Sequence, residues 1–153
     1  MNLFNLPLLE LLHFVKVTCH ENLHDVINDL RGINEAFLKN GSTESPVNLI
    51  LFLNDFIRLL QLHLALEEND FYLLIEKGKK EMKIFPIYKL LEEHDEIKEY
   101  LINIRKLTGD YEIISTRPEI RQLHLKLQEL DRIVVNHIHL QNHVLFPMII
   151  GFH

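Results

Sequence analysis

Cysteine is almost missing from this 153-residue chain, and Cys19 has no partner for an intramolecular disulfide. That excludes a disulfide-stapled fold and fits a reducing compartment. Basic charge is also scarce: 16 Lys and Arg stand against 22 Asp and Glu, giving a formal net charge of −6. No cationic run exceeds Lys79-Lys80, so nucleic acid and anionic membrane are not expected partners. The opening MNLFNLPLLELLHF is apolar, but it lacks the cationic start of a secretory signal and is broken by Glu10 and His13. A cytoplasmic protein without a membrane span is expected. The chain has no Gly-rich phosphate loop, no convincing Ser/His/Asp or Cys-nucleophile arrangement, no low-complexity tract and no long strand-like alternation.

What is present is apolar residues, 47% of the chain, and ten histidines. The apolar fraction suits one soluble domain over residues 1–153 that buries a real core, and the histidine excess points to metal. Three stretches punctuate the chain: NGSTESP at 40–46, KGKKE at 77–81 and TGDYEIISTRP at 108–118. Between them lie four segments, at about 7–39, 47–76, 83–107 and 118–149, with apolar residues three and four apart, as in Leu49, Phe52, Leu53, Phe56, Ile57 and Leu60. Four long helices with short connections predict an all-α, up-down-up-down antiparallel four-helix bundle.

Residues four apart on a helix share a face, and residues two apart do not. His137 and Gln141 therefore share one face, and His139 and His143 share another. Helix two offers His63 with Glu67, helix three offers His94, and helix one offers His20 with His24. Counted from the helix ends at 1.5 Å per residue, His20, His63 and His94 lie at levels that agree within about 5 Å. His137 is less well matched, unless its helix begins nearer Ile120. One layer of ligands across four helices is the simplest account. A lone core histidine such as His94 is usually hydrogen-bonded packing, but four desolvated imidazoles at one depth would each need a partner. Imidazoles with a carboxylate suit iron, manganese or zinc.

The stretches HLALEEN at 63–69, EEHDEI at 92–97 and HIHLQNHVLFP at 137–147 resemble the signatures of hemerythrin-like, HHE cation-binding domains, and most closely the di-iron domain of the Repair of Iron Centres family. The resemblance covers nearly the whole chain. It implies a left-handed four-helix bundle and a non-haem di-iron centre held by one histidine per helix, with two carboxylates bridging the metals. Carried over by position, the ligands would be His20, His63, Glu67, His94 and His137, with Gln141 where the family has its second bridging glutamate. Two departures stand out. That family usually carries a cysteine-bearing segment ahead of the bundle, whereas helix one is expected to begin almost at Met1, which puts roles resting on those thiols in doubt. A neutral amide at Gln141 brings no charge to a bridge, so the second metal is expected to bind weakly.

Other polar residues are read more plainly. His24 is expected to support the site or face solvent, with ligation the less favoured alternative; His13, His139 and His143 are expected at the surface or in helix packing. Glu68, Asp70, Asp95 and Glu96 are expected to be solvated. Glu93 is either a solvated charge or a residue that orients a ligand. Glu10 with His13 and Glu21 with His24 match the ferritin-like Glu-x-x-His spacing, but both lie on helix one, which disfavours a ferritin-like oxidase.

The function implied is a cytoplasmic iron protein of the oxidative or nitrosative stress response. It would bind dioxygen or nitric oxide, or supply iron to damaged iron-sulfur client proteins, as a monomer or homodimer. The alternatives are a dioxygen carrier or sensor without catalysis, and a degenerate bundle serving as an interaction module.

Overall fold

Each apolar-periodic segment forms one long helix in the computed structural model, which describes residues 6–40, 46–78, 84–112 and 117–151. The helices are α1 (residues 8–40), α2 (Val47–Glu76), α3 (Ile84–Thr108) and α4 (residues 118–150). The described residues are 91% helical and contain no strand. Much of the three punctuating stretches, at 41–45, 79–81 and 113–116, lies outside the described residues. Where their flanks are described they behave as helix stops. Gly78, Gly109 and Gly151 take positive φ values of 69°, 58° and 86° just past the ends of α2, α3 and α4. Pro118 opens α4, where its missing N–H costs nothing.

The antiparallel order is visible in the packing. The larger apolar cluster takes Leu23 to Phe37 from α1, Leu49 to Leu64 from α2, Ile97 to Ile104 from α3 and Leu123 to Ile138 from α4. The smaller takes Leu11 to Val15, Phe71 to Ile75, Ile87 with Leu90, and Leu140 to Phe146. The sequence order of the two clusters reverses from each helix to the next, so successive helices run in opposite directions. Burial of each such side chain stabilises the fold by roughly 1.5–3 kcal/mol. α1 packs chiefly against α4, and α2 against α3. By length and composition α2 could cross a bilayer, yet in the bundle its buried face carries much of the core and Glu67.

Periodicity alone does not predict that three of the helices widen into a π-type turn: Val15–His20 in α1, Glu67–Phe71 in α2 and Gln141–Leu145 in α4. Pro147, which cannot donate to the helical ladder, lies just past the third. Such turns cluster at functional sites because they aim a side chain that a regular helix would misplace.

At the far end of the bundle α3 unwinds through Gly109, Asp110 and Tyr111, all left-handed. For Asp110 and Tyr111 that backbone is unfavourable, and tertiary bonds hold it. Thr108 Oγ1 accepts the Tyr111 N–H at 3.1 Å, Tyr111 Oη donates to Asp131 Oδ2 at 2.6 Å, and Arg105 makes a forked pair with Asp131, both bonds 2.7 Å. Burial works against the Asp131 carboxylate, but Arg105 and Tyr111 outweigh it and hold its pKa below the usual range.

Candidate metal centre

The boundary between the two apolar clusters is polar. His20 leaves α1 there, His63 and Glu67 leave α2, His94 leaves α3, and His137 and Gln141 leave α4; all six side chains are at least 97% buried. His137 reaches this level although it lies 19 residues into α4 while only 14 residues of α3 follow His94. α4 therefore starts about 7 Å further from the layer than α3 ends.

Glu67 is the hub. Its Oε2 lies 3.0 Å from His20 Nε2 and 3.2 Å from His137 Nε2, and its Oε1 lies 2.5 Å from His63 Nε2 and 3.8 Å from His94 Nε2. Two groups able to hold a cation result, His20–Glu67–His137 and His63–Glu67–His94, sharing one carboxylate. Burial raises the pKa of Glu67, but the neighbouring imidazoles of His63, His137 and His20 reverse this and hold it well below the carboxylate range. Burial keeps His137 below the imidazole range, whereas at His20 and His63 burial is outweighed by Glu67, with Glu68 or Glu93, which holds both above it.

The donor set fits a metal for a further reason. His63 Nε2, His94 Nε2 and Glu67 Oε1 converge in the buried interior, and apart from the close approach of His63 Nε2 to Glu67 Oε1 none has a hydrogen-bond partner; Gln141 Oε1 is also unpaired. Buried polar atoms left in this state cost about 1–3 kcal/mol each, and a cation would satisfy three together.

Residues around this layer orient it. The His94 Nδ1–H donates to Asn142 Oδ1 at 2.8 Å, and the His20 Nδ1–H donates to Glu68 Oε1 at 2.8 Å, so both rings turn Nε2 inward. Glu68 also bonds His24 Nε2 at 3.1 Å. The expectation of a solvated Glu68 is thus wrong: it lies one step round α2 from Glu67, and its carboxylate spans to α1. His24 stands outside the layer with its side chain 42% exposed. Glu93 Oε2 lies 3.6 Å from His63 Nδ1. Asp70, Asp95, Glu96, His13, His139 and His143 are exposed, as the helical spacing predicts.

Sequence reasoning misses Tyr72. Its hydroxyl donates to Glu67 Oε2 at 2.9 Å, accepts from Gln141 Nε2 at 2.6 Å and lies 3.4 Å from His20 Nε2. The π-type turn after Glu67 brings residue i+5 over the carboxylate, where a regular helix would bring i+4. The sequence carries one signal: HLALEEN at 63–69 and HIHLQNH at 137–143 echo each other weakly, which aligns Glu68 with Asn142 and, extended by a few residues, Tyr72 with Phe146.

Comparison with known proteins agrees with this geometry. The chain is 26% identical over 148 residues to the iron-sulfur cluster repair protein YtfE of Yersinia pseudotuberculosis serotype O:1b (strain IP 31758), covering 92% of this chain and 65% of that protein. It is 29% identical over 152 residues to the protein of the same name from Edwardsiella ictaluri (strain 93-146), covering 95% of this chain and 67% of the relative. The chain therefore spans about two thirds of the length of these relatives. The family model for the hemerythrin HHE cation binding domain matches residues 16–149, which include every residue of the buried polar layer, and the chain belongs to that family.

Proposed function

We propose that this chain binds non-haem iron through His20, His63, Glu67, His94 and His137, with Gln141 as a weaker oxygen donor, and serves iron-sulfur cluster repair under oxidative or nitrosative stress. The observation that carries the reading is the buried layer in which unpaired Nε2 and Oε1 atoms from α2 and α3 converge on one point. Bound there, iron supplies an exchangeable cation and an open coordination position for dioxygen or nitric oxide. The chain's own part is to hold five donors in a buried pocket, to keep Glu67 ionised, and to fix the rings of His20 and His94 through Glu68 and Asn142. Manganese and zinc suit the same donors. The relatives' names support the repair role, which would be exercised in the cytoplasm on iron-sulfur client proteins.

The test is anaerobic isolation from the native host, elemental analysis, and exposure to nitric oxide, to dioxygen and to an apo iron-sulfur client. Iron in the protein, an optical change with nitric oxide and iron transfer to the client are expected. Zinc alone, or no metal, would overturn the reading. Reversible cycling with dioxygen and no transfer would favour a carrier or sensor instead. A second reading, a one-metal bundle acting as an interaction module, draws on the hydrogen bond that ties Gln141 to Tyr72. It predicts bound metal indifferent to both gases.

A further inference from the structure

The two halves of the centre are built on one plan. Glu67 and Gln141 each begin a π-type turn; Glu68 and Asn142, one residue on, hold His20 and His94; Tyr72 and Phe146, five residues on, place an aromatic ring against those same histidines. Tyr72 lies 5.5 Å from the His20 ring, and Phe146 stacks on the His94 ring at 5.8 Å with 10° between planes. The halves differ in one atom of each aromatic pair. Phe146 offers no polar group, and beside it His94 Nε2, His63 Nε2 and Glu67 Oε1 all lack hydrogen-bond partners. Tyr72 offers a hydroxyl, which donates to Glu67 Oε2 and is itself held by the Gln141 amide.

We propose that Tyr72 and Gln141 close the His20–Glu67–His137 half with their own hydrogen bonds, so that the first metal enters the His63–Glu67–His94 half and the second binds only when the Tyr72 bond to Glu67 is broken. Tyr72 acts here as a positioning residue, and this assignment rests on the iron-binding reading above. A cation in the His63 half breaks no bond to a residue outside the donor set: it has only to part His63 Nε2 from Glu67 Oε1, and it pairs both with His94 Nε2. In the other half it must compete with Tyr72 for Glu67 Oε2. His137 adds a further hydrogen bond to be broken, since its Nε2–H donates to Glu67 Oε2 at 3.2 Å; its Nδ1, like that of His63, is buried without a partner, so in neither ring is the tautomer fixed that would free Nε2 as a ligand. His94, by contrast, has that tautomer fixed by Asn142.

Anaerobic titration of the metal-free protein with Co(II), followed through its visible ligand-field bands, separates the halves without any activity assay. Wild-type protein should take up one tight and one weak equivalent. His63→Ala should lose the tight one and His20→Ala the weak one. Tyr72→Phe copies the ring found at Phe146 and should fold, as far-UV circular dichroism would verify; it should tighten the weak equivalent by about tenfold or more, the size of effect that residues around metal ligands exert. Two equally tight equivalents in the wild type would overturn this inference, as would a weak equivalent that Tyr72→Phe leaves unchanged or loosens. Failure of the wild-type protein to bind any cobalt would overturn the metal-binding reading and this inference with it.

Discussion

Gln141 places a neutral amide where a second carboxylate would complete a charged bridge, and its Nε2 is committed to Tyr72. Substituting Gln141→Glu adds one negative charge beside Glu67 in a low-dielectric interior, so occupancy of the second metal should rise; iron per chain, measured by elemental analysis after anaerobic loading, is the readout. A native protein already as full as the variant would show that the amide is no handicap. Asn142 is a sharper probe of the surroundings, since its Oδ1 accepts from His94 Nδ1–H at 2.8 Å. Asn142→Ala should weaken the tighter metal by about 10–100-fold in a competition titration. At this scale the sequence is legible where chemistry follows helical spacing: His63 with Glu67 and His137 with Gln141 are i, i+4 pairs that share a face. It is illegible where a side chain crosses to another helix, as Glu68 and Asn142 do, or where the backbone departs from 3.6 residues per turn, as it does beneath Tyr72.

Among the elements, the helix boundaries agree with the periodic segments to within a residue or so, because Gly, Pro and the fading of the apolar repeat mark the same points. The π-type turns leave no such mark. They insert without changing residue type, and Pro147 near the third is the one local hint. The joint between α3 and α4 depends on Asp131, whose forked bonds to Arg105 and bond from Tyr111 hold two non-glycine residues in left-handed backbone. Asp131→Asn should cost about 1–3 kcal/mol in urea unfolding at neutral pH, the scale of losing hydrogen bonds to a charged group. The folded carboxyl has a lowered pKa, so its contribution is present above the unfolded value near about 3.9 and disappears as pH falls through the lower folded value. The gap between wild type and Asp131→Asn should therefore be widest above about pH 5 and shrink toward pH 2. A gap independent of pH would mean that the charge of Asp131 is not what stabilises the joint.

For the whole molecule, the fold class follows from four amphipathic segments with short connections, and the family signatures point the same way. The depth count brings three histidines to one level, and the fourth depends on where α4 starts relative to the end of α3, which no periodicity reports. Because a cation binds only the assembled layer, metal should raise the melting temperature, by the equivalent of about 2.7 kcal/mol at a free concentration one hundred times the dissociation constant. Chelation should remove that increment in wild-type protein and change little in His63→Ala or His94→Ala, as differential scanning calorimetry would show. An equal response in both variants would place the stabilising metal elsewhere.

The polar layer has a consequence for how the bundle comes apart. It interrupts the apolar packing on all four helices, leaving a smaller cluster around Leu11, Tyr72, Leu90 and Phe146 on one side and the larger one on the other. In the metal-free protein, amide hydrogens of the smaller end should exchange together and faster than those around Leu53 and Leu127, through an opening that leaves the larger end folded. Metal ties α1, α2, α3 and α4 across the seam and should slow that exchange toward the rate of global unfolding. The centre would then report its own loading through the breathing of one end of the protein.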